Sequence, residues 1–218
     1  MSDKTPDFID LMREDLSSYA HPEPGLTPYN AYLLPTVERL LAPAAGGRLF
    51  EIGFGNGAVA AHLAAKGFQV AGIEPSAQGL ALAHASYPAL TGLQHGTIYD
   101  DLRARFGGFQ AVMSLEVIEH LYFPRRLAQA AFSLLEPGGV LVVSTIYHGY
   151  LKNIATAVLG RFDMKMNPLW DHGHIKFFSP STLRKLFTEC GFVDVTVKRP
   201  GLFAPFAPSM VVCGRKPS

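Results

Sequence analysis

Residues 49 to 67 read LFEIGFGNGAVAAHLAAKG: an apolar run, a turn with glycine at alternate positions, and an alanine-rich helix. A strand that passes through glycines straight into a helix is how an α/β protein holds a nucleotide, because the turn lets the backbone come close to a ligand at the helix start. The rest of the chain must then supply further strands and helices to build a sheet around that unit.

It does. The spacing predicts helices over 7–19 and 28–41, the second capped by Thr27 with Pro28 at its first position. Pro43 and the pair Gly46–Gly47 break the chain before a strand at 48–52, and helix 57–66 stops at Gly67. Strands follow at 68–74, 92–98 and 109–116, with helices at 76–86 and 124–136. GGVLVVSTI (138–146) is a continuous apolar run, as a strand buried on both faces requires. After an irregular stretch, a helix at 180–190 begins at Ser179 and ends at Gly191. Strands at 192–198 and 209–216 close the sequence, and their link is too short for a crossover helix, so the pair is antiparallel. The expected fold is a three-layer Rossmann-like α/β sandwich, its seven-stranded sheet mostly parallel with an antiparallel last strand. One domain spans 1–218, with N-terminal helices in 1–46 and an insertion at 147–174.

GFGNGA fits the loose dinucleotide pattern G-x-G-x-x-A, so the glycines alone leave nicotinamide and S-adenosylmethionine both open. Glu51 tips the balance. It stands two residues before Gly53, where a carboxylate can pair with an amino-acid ammonium but repels a pyrophosphate. The texts FEIGFGNG, GIEPS, FQAVMSLEVIEHL and LLEPGGVLVVST, in that order and spacing, resemble class I S-adenosylmethionine-dependent methyltransferases from about residue 35 onward. Phe54 departs from that pattern, which carries a small residue or Cys there, and narrows the expected pocket.

The resemblance, joined to the residue chemistry, implies a site. Gly53, Gly55 and Gly57 admit the methionine part of the cofactor, since only Gly tolerates such backbone angles and approach. Glu74 offers two acceptor oxygens to the ribose hydroxyls, with Pro75 and Ser76 shaping that loop. Thr97, Ile98 and Tyr99 flank the adenine, and Leu115 lines the floor near the sulfonium. His62, His84 and His95 read as surface or structural.

Chemistry belongs at the carboxyl ends of strands four and five. EVIEHL places Glu116, Glu119 and His120 on one face if a helix begins there, and DHGHIKFF places His172 and His174 on one side of an extended segment. With LLEPGGVLVVST and the later DHGHIKFFSPSTLRKLF, this text resembles the ubiquinone-biosynthesis O-methyltransferase group, and E-x-x-E-H with a later His also resembles the metal site of small-RNA 3′-terminal methyltransferases. That likeness implies catalytic roles for His120 and Glu119. It also implies a divalent cation such as magnesium on Glu116, Glu119, His120 and His172 or His174; in metal-free relatives His120 positions the substrate instead. Within YHGYLKNIATAVLGRFDMKMNPLW (147–170), apolar residues recur at helical spacing, suited to a substrate lid or to transient membrane contact.

The expected activity is therefore S-adenosylmethionine-dependent O-methylation of a phenolic or apolar small molecule, with S-adenosylhomocysteine as product. The alternatives are 2′-O-methylation of an RNA end, N- or C-methylation of another metabolite, or cofactor binding without catalysis. A formal charge of +1 gives no electrostatic case for a nucleic-acid footprint. Two cysteines imply no disulfide framework and a reducing cytoplasm, and the opening MSDKTPDFID lacks the basic and apolar run of a signal peptide.

Overall fold

The computed structural model describes residues 23–170, 173–201 and 207–218. The expected helix at 7–19 and candidate His172 lie outside the described residues. The elements in chain order are α1 (Pro28–Leu41), β1 (Arg48–Ile52), α2 (Ala58–Ala65), β2 (Gln69–Glu74), α3 (Ala77–Ser86), β3 (Leu93–His95) and α4 (Leu102–Phe106). There follow β4 (Phe109–Leu115), α5 (Pro124–Leu134), β5 (Leu135–Ile146), α6 (Tyr150–Val158), α7 (Phe162–Lys165), α8 (Pro180–Glu189), β6 (Val193–Lys198) and β7 (Ser209–Arg215).

Seven strands form one sheet in the order β3-β2-β1-β4-β5-β7-β6. The pairs β1–β2, β1–β4, β2–β3 and β4–β5 are parallel, whereas β7 runs antiparallel to both β5 and β6. This is the expected Rossmann-like sheet with its reversed final strand.

Alternation along the central strands sorts their side chains into two cores. Phe50, Val112, Leu141 and Val143 point toward α5 and α8, burying Leu127, Ala131, Leu183 and Phe187. Leu49, Ala111, Met113, Val140 and Val142 point the other way, against Leu33, Val37 and Leu41 of α1 and Val59 and Leu63 of α2. Period two on the sheet meets a helical period on each layer, and each fully buried aliphatic chain contributes roughly 1.5–3 kcal/mol. The N-terminal ends of α1 and α8 behave as their sequences require: Thr27 accepts from the Asn30 N–H at 3.1 Å, and Ser179 and Thr182 close a capping box.

Several elements differ from expectation, and β3 ends at His95 rather than at 98. The fifth strand begins at Leu135 rather than 138, because Leu135 pairs with Phe109 before the register shifts to Ala111↔Val140. Gly138, with φ +74°, turns the backbone within that irregularity, and its N–H donates to Lys216 O at 3.0 Å. Helix α4 was not anticipated; Asp101 caps it by accepting from Ala104 N–H at 3.1 Å.

Candidate functional site

The loop after β1 is held by the next strand's end. Gly53 N–H donates to Ile73 O at 2.8 Å, and the Glu74 carboxylate accepts from Gly55 N–H at 2.8 Å and from Ser76 N–H at 2.9 Å. Glu74 thus fixes both the glycine turn and the start of α3. Gly53 has φ +76°, and a Cβ there would stand 2.6 Å from Val117 Cγ2. Gly57, at φ +77°, would meet Ala83 Cβ at 2.9 Å, so neither position admits a side chain without displacement. His95 also serves this loop, its ring Nε2 lying 3.0 Å from Pro75 O.

A cavity of about 250 Å³ opens over this loop, walled by Glu51, Gly53, Phe54, Gly55, Glu74 and Pro75 on one side and Leu115, Glu116, Val117 and His120 on the other. Seven expected cofactor residues are therefore brought together with two of the acidic–imidazole group. Thr27, Asn30, Asn56 and Val59 line the same cavity and were not expected in it. Asn56 Nδ2 donates to Glu23 O at 2.8 Å and Gly25 O at 2.9 Å, which draws the segment ahead of α1 over the glycine turn. The asparagine in GFGNG was the sequence signal for this clasp. Thr97 is buried; Ile98 and Tyr99 line a separate cavity with Asp100 and Arg126.

Glu51 and Glu74 are 2% and 4% exposed. Burial, with Glu74's negative charge second, pushes the Glu51 carboxyl up to about 8. Its Oε2 is buried and has no hydrogen-bond partner among the described residues. An orphaned buried polar atom costs roughly 1–3 kcal/mol. A cationic group entering the cavity beside Glu51 relieves both the orphan and the unfavourable field, so the residues present fit an amino-acid head.

Glu116 does not start a helix, as the text had suggested. Its φ is +55°, uncommon for a residue with a Cβ, and only a single 3-10 turn forms at Ile118–His120. The turned backbone is held by β5: Glu116 N–H donates to Ser144 Oγ at 3.0 Å, and Ser144 Oγ donates to the Glu116 carboxylate at 2.6 Å. Ser209 adds a longer contact at 3.4 Å. Burial raises the Glu116 carboxyl, and burial followed by the Glu116 charge raises Glu119 well above the ordinary range.

The segment after residue 173 lies along this turn, with Ile175 and Lys176 N–H groups donating to Glu119 O at 2.9 and 3.0 Å. It delivers His174 to His120, ring centroids 4.9 Å apart, with Trp170 edge-on to His174 at 5.0 Å. Glu119, His120 and His174 each point a ligand atom into a space where all three lie within 4.8 Å of one another. Burial, then the His120 and His148 charges, lowers His174 to about 4, so its imidazole is neutral and free to offer a lone pair. Atoms on one ion at bonds of ~2.1 Å stand no more than ~4.2 Å apart, so the cluster fits a divalent cation after a small closure. Two imidazoles and a carboxylate suit zinc or manganese better than magnesium. Glu116, the fourth expected ligand, is engaged with the two serines instead.

Helix α6 turns its polar side toward the body of the protein. Lys152 Nζ donates to Tyr147 O at 2.9 Å and Ala207 O at 3.2 Å, while Leu151, Ile154 and Val158 are 60%, 44% and 80% exposed. No helix among the described residues is long and apolar enough to cross a membrane.

A family model described as a methyltransferase domain matches residues 28–197. A ubiquinone biosynthesis O-methyltransferase of Cereibacter sphaeroides (strain ATCC 17025 / ATH 2.4.3) is 33% identical over 159 residues, which are 72% of this chain and 64% of the relative. The chain thus spans just under two thirds of that relative's length. Among solved structures, an S-adenosylmethionine-dependent methyltransferase from Mesorhizobium loti superposes with a TM-score of 0.65 at 19% identity, covering 86% of this chain and 99% of that one. Phosphoethanolamine N-methyltransferase 2 of Haemonchus contortus, solved with S-adenosyl-L-methionine, gives a TM-score of 0.64 at 17% identity over 87% and 53% of the two chains. At those identities the likeness is one of fold.

Proposed function

We propose that this chain, which belongs to the methyltransferase-domain family, binds S-adenosylmethionine in the Glu51 cavity and methylates an oxygen of an apolar small molecule. The observation that carries the reading is the unmatched Glu51 oxygen in the same cavity as the glycine turn and Glu74. Bound there, the cofactor supplies a methyl group on a positively charged sulfur. Glu51 holds its ammonium, Glu74 its ribose hydroxyls, and the glycine turn with Phe54 shapes the space for the methionine part. Leu115 and Val117 keep water from the far wall.

The acceptor enters from the side of His120. A phenol of pKa ~10 costs about 4 kcal/mol to ionise at pH 7, so a nearby base matters. His120 takes that proton on its ring. Glu119, whose carboxyl is raised by burial and by the Glu116 charge, stands beside His120. Where a divalent cation takes part, Glu119, His120 and His174 hold it, and it offsets part of the same ionisation cost. The region 147–174 serves as the lid, and the outward apolar face of α6 suits an acceptor arriving from a lipid surface.

Calorimetry with S-adenosylhomocysteine and with NADH tests the cofactor. The sulfur compound binds, NADH does not, and Glu74→Ala weakens binding at least tenfold. Preference for NADH sinks the reading. A screen of catechols and quinols with and without chelator then tests the acceptor and the cation together; turnover indifferent to chelation removes the metal.

A further inference from the structure

The amino-acid end of the cofactor carries two opposite charges on one carbon. Glu51 accounts for the ammonium, so the carboxylate must lie in the same cavity. Three acids line that cavity, Glu51, Glu74 and Glu116, and among the described residues of its wall there is no lysine or arginine. A carboxylate entering such a space meets like charges and is held only where hydrogen-bond donors receive it.

The donors on the wall can be followed one at a time. Asn56 Nδ2 is engaged by Glu23 O and Gly25 O, Gly53 N–H by Ile73 O, and Gly55 N–H by the Glu74 carboxylate. Thr27 Oγ1 donates to Asn30 Oδ1 at 2.8 Å and accepts from the Asn30 backbone N–H at 3.1 Å. That pair of bonds occupies the Asn30 carbonyl. Its amide nitrogen, a donor of two hydrogens, makes no hydrogen bond among the described residues.

Asn30 reaches the cavity for local reasons. Thr27 caps α1 and Pro28 begins it, which puts Asn30 in the first turn, at the positive end of a fourteen-residue helix. The Asn56 clasp draws residues 23 to 25 over the glycine turn, and Thr27 and Asn30 then join the cavity wall. A helix start favours any anion and specifies none. Glu51 narrows the choice, because its buried Oε2 stands unmatched in the same cavity and calls for a cation there. An unmatched carboxylate oxygen and an uncommitted amide donor in one cavity are what a zwitterion requires.

We propose that the Asn30 amide nitrogen, backed by the start of α1, receives the carboxylate of the cofactor's amino-acid head. The proposal rests on the S-adenosylmethionine reading and divides that head between two elements, Glu51 of β1 and Asn30 of α1. Being neutral, Asn30 holds the carboxylate without repelling the ammonium or the sulfonium.

Two variants and two ligands test it. Asn30→Asp keeps the oxygen to which Thr27 donates and suits a helix start, while it turns the donor into a like charge. Asn30→Ala removes the amide altogether. Each is titrated calorimetrically with S-adenosylhomocysteine and with its decarboxylated analogue, the aminopropyl thioether of the same nucleoside, which keeps the ammonium. The expected result is S-adenosylhomocysteine affinity lower by roughly tenfold or more, as for loss of one hydrogen bond to a charged group. Affinity for the analogue stays at the wild-type level or rises, and that retained binding reports the fold within the same experiment. Glu51→Gln, by contrast, weakens both ligands. Equal weakening of both ligands by the Asn30 variants makes the residue structural and overturns the proposal, as does S-adenosylhomocysteine affinity unchanged in both. Wild-type protein that fails to bind S-adenosylhomocysteine overturns the cofactor reading itself.

Discussion

At the level of single residues, Glu51 has the most measurable consequence. Its carboxyl stands at about 8 against an ordinary 4.5, so the stability it contributes is complete below pH 4.5 and is lost as pH rises through 8. At 1.36 kcal/mol per unit, the loss from this group is at most about 5 kcal/mol. Ligand-free protein is therefore expected to show a falling urea midpoint between pH 5.5 and 8, and Glu51→Gln to flatten that slope; parallel profiles in the two proteins refute the claim. Glu51 and Glu74 were legible from sequence because strand ends and glycine spacing fix them locally. Glu116 was not. Its left-handed backbone is imposed by Ser144, twenty-eight positions away, and no local periodicity carries that information.

Among the elements, α6 inverts the usual order. Helical spacing was visible in 147–170, but spacing does not say which face turns inward, and here Lys152, bonded to the carbonyls of Tyr147 and Ala207, pulls the polar side toward the body. The exposed Leu151, Ile154 and Val158 contribute little to holding the helix down. Changing all three to Ser is expected to leave Tm within about 2 °C while reducing retention on anionic lipid vesicles. A large fall in Tm instead means that these side chains are packed in solution. The glycine-turn elements were the easiest to read, because β1, β2 and β4 each end in a side chain with a chemical task. The start of β5 was the hardest, since its first residues pair across an irregularity set by Phe109.

Across the molecule, stability should follow position in the sheet. β2, β1, β4, β5 and β7 are paired on both edges, whereas β3 and β6 form the two rims. Hydrogen exchange is expected to be slowest in β4 and β5 and markedly faster in β6, where Asp194 at φ +52° interrupts the pairing with β7. Equal protection of β6 and β5 contradicts that ranking. The sheet's order has a further consequence for how the protein is made. β7 is inserted between β5 and β6, so a ribosome emits β5 and β6 before the strand that joins them exists. At ordinary elongation rates β5 waits several seconds with one apolar edge bare. The interval between Ile146 and Ser209 is thus the nascent chain's period of greatest exposure to misassociation, and chaperone capture during translation should be concentrated there.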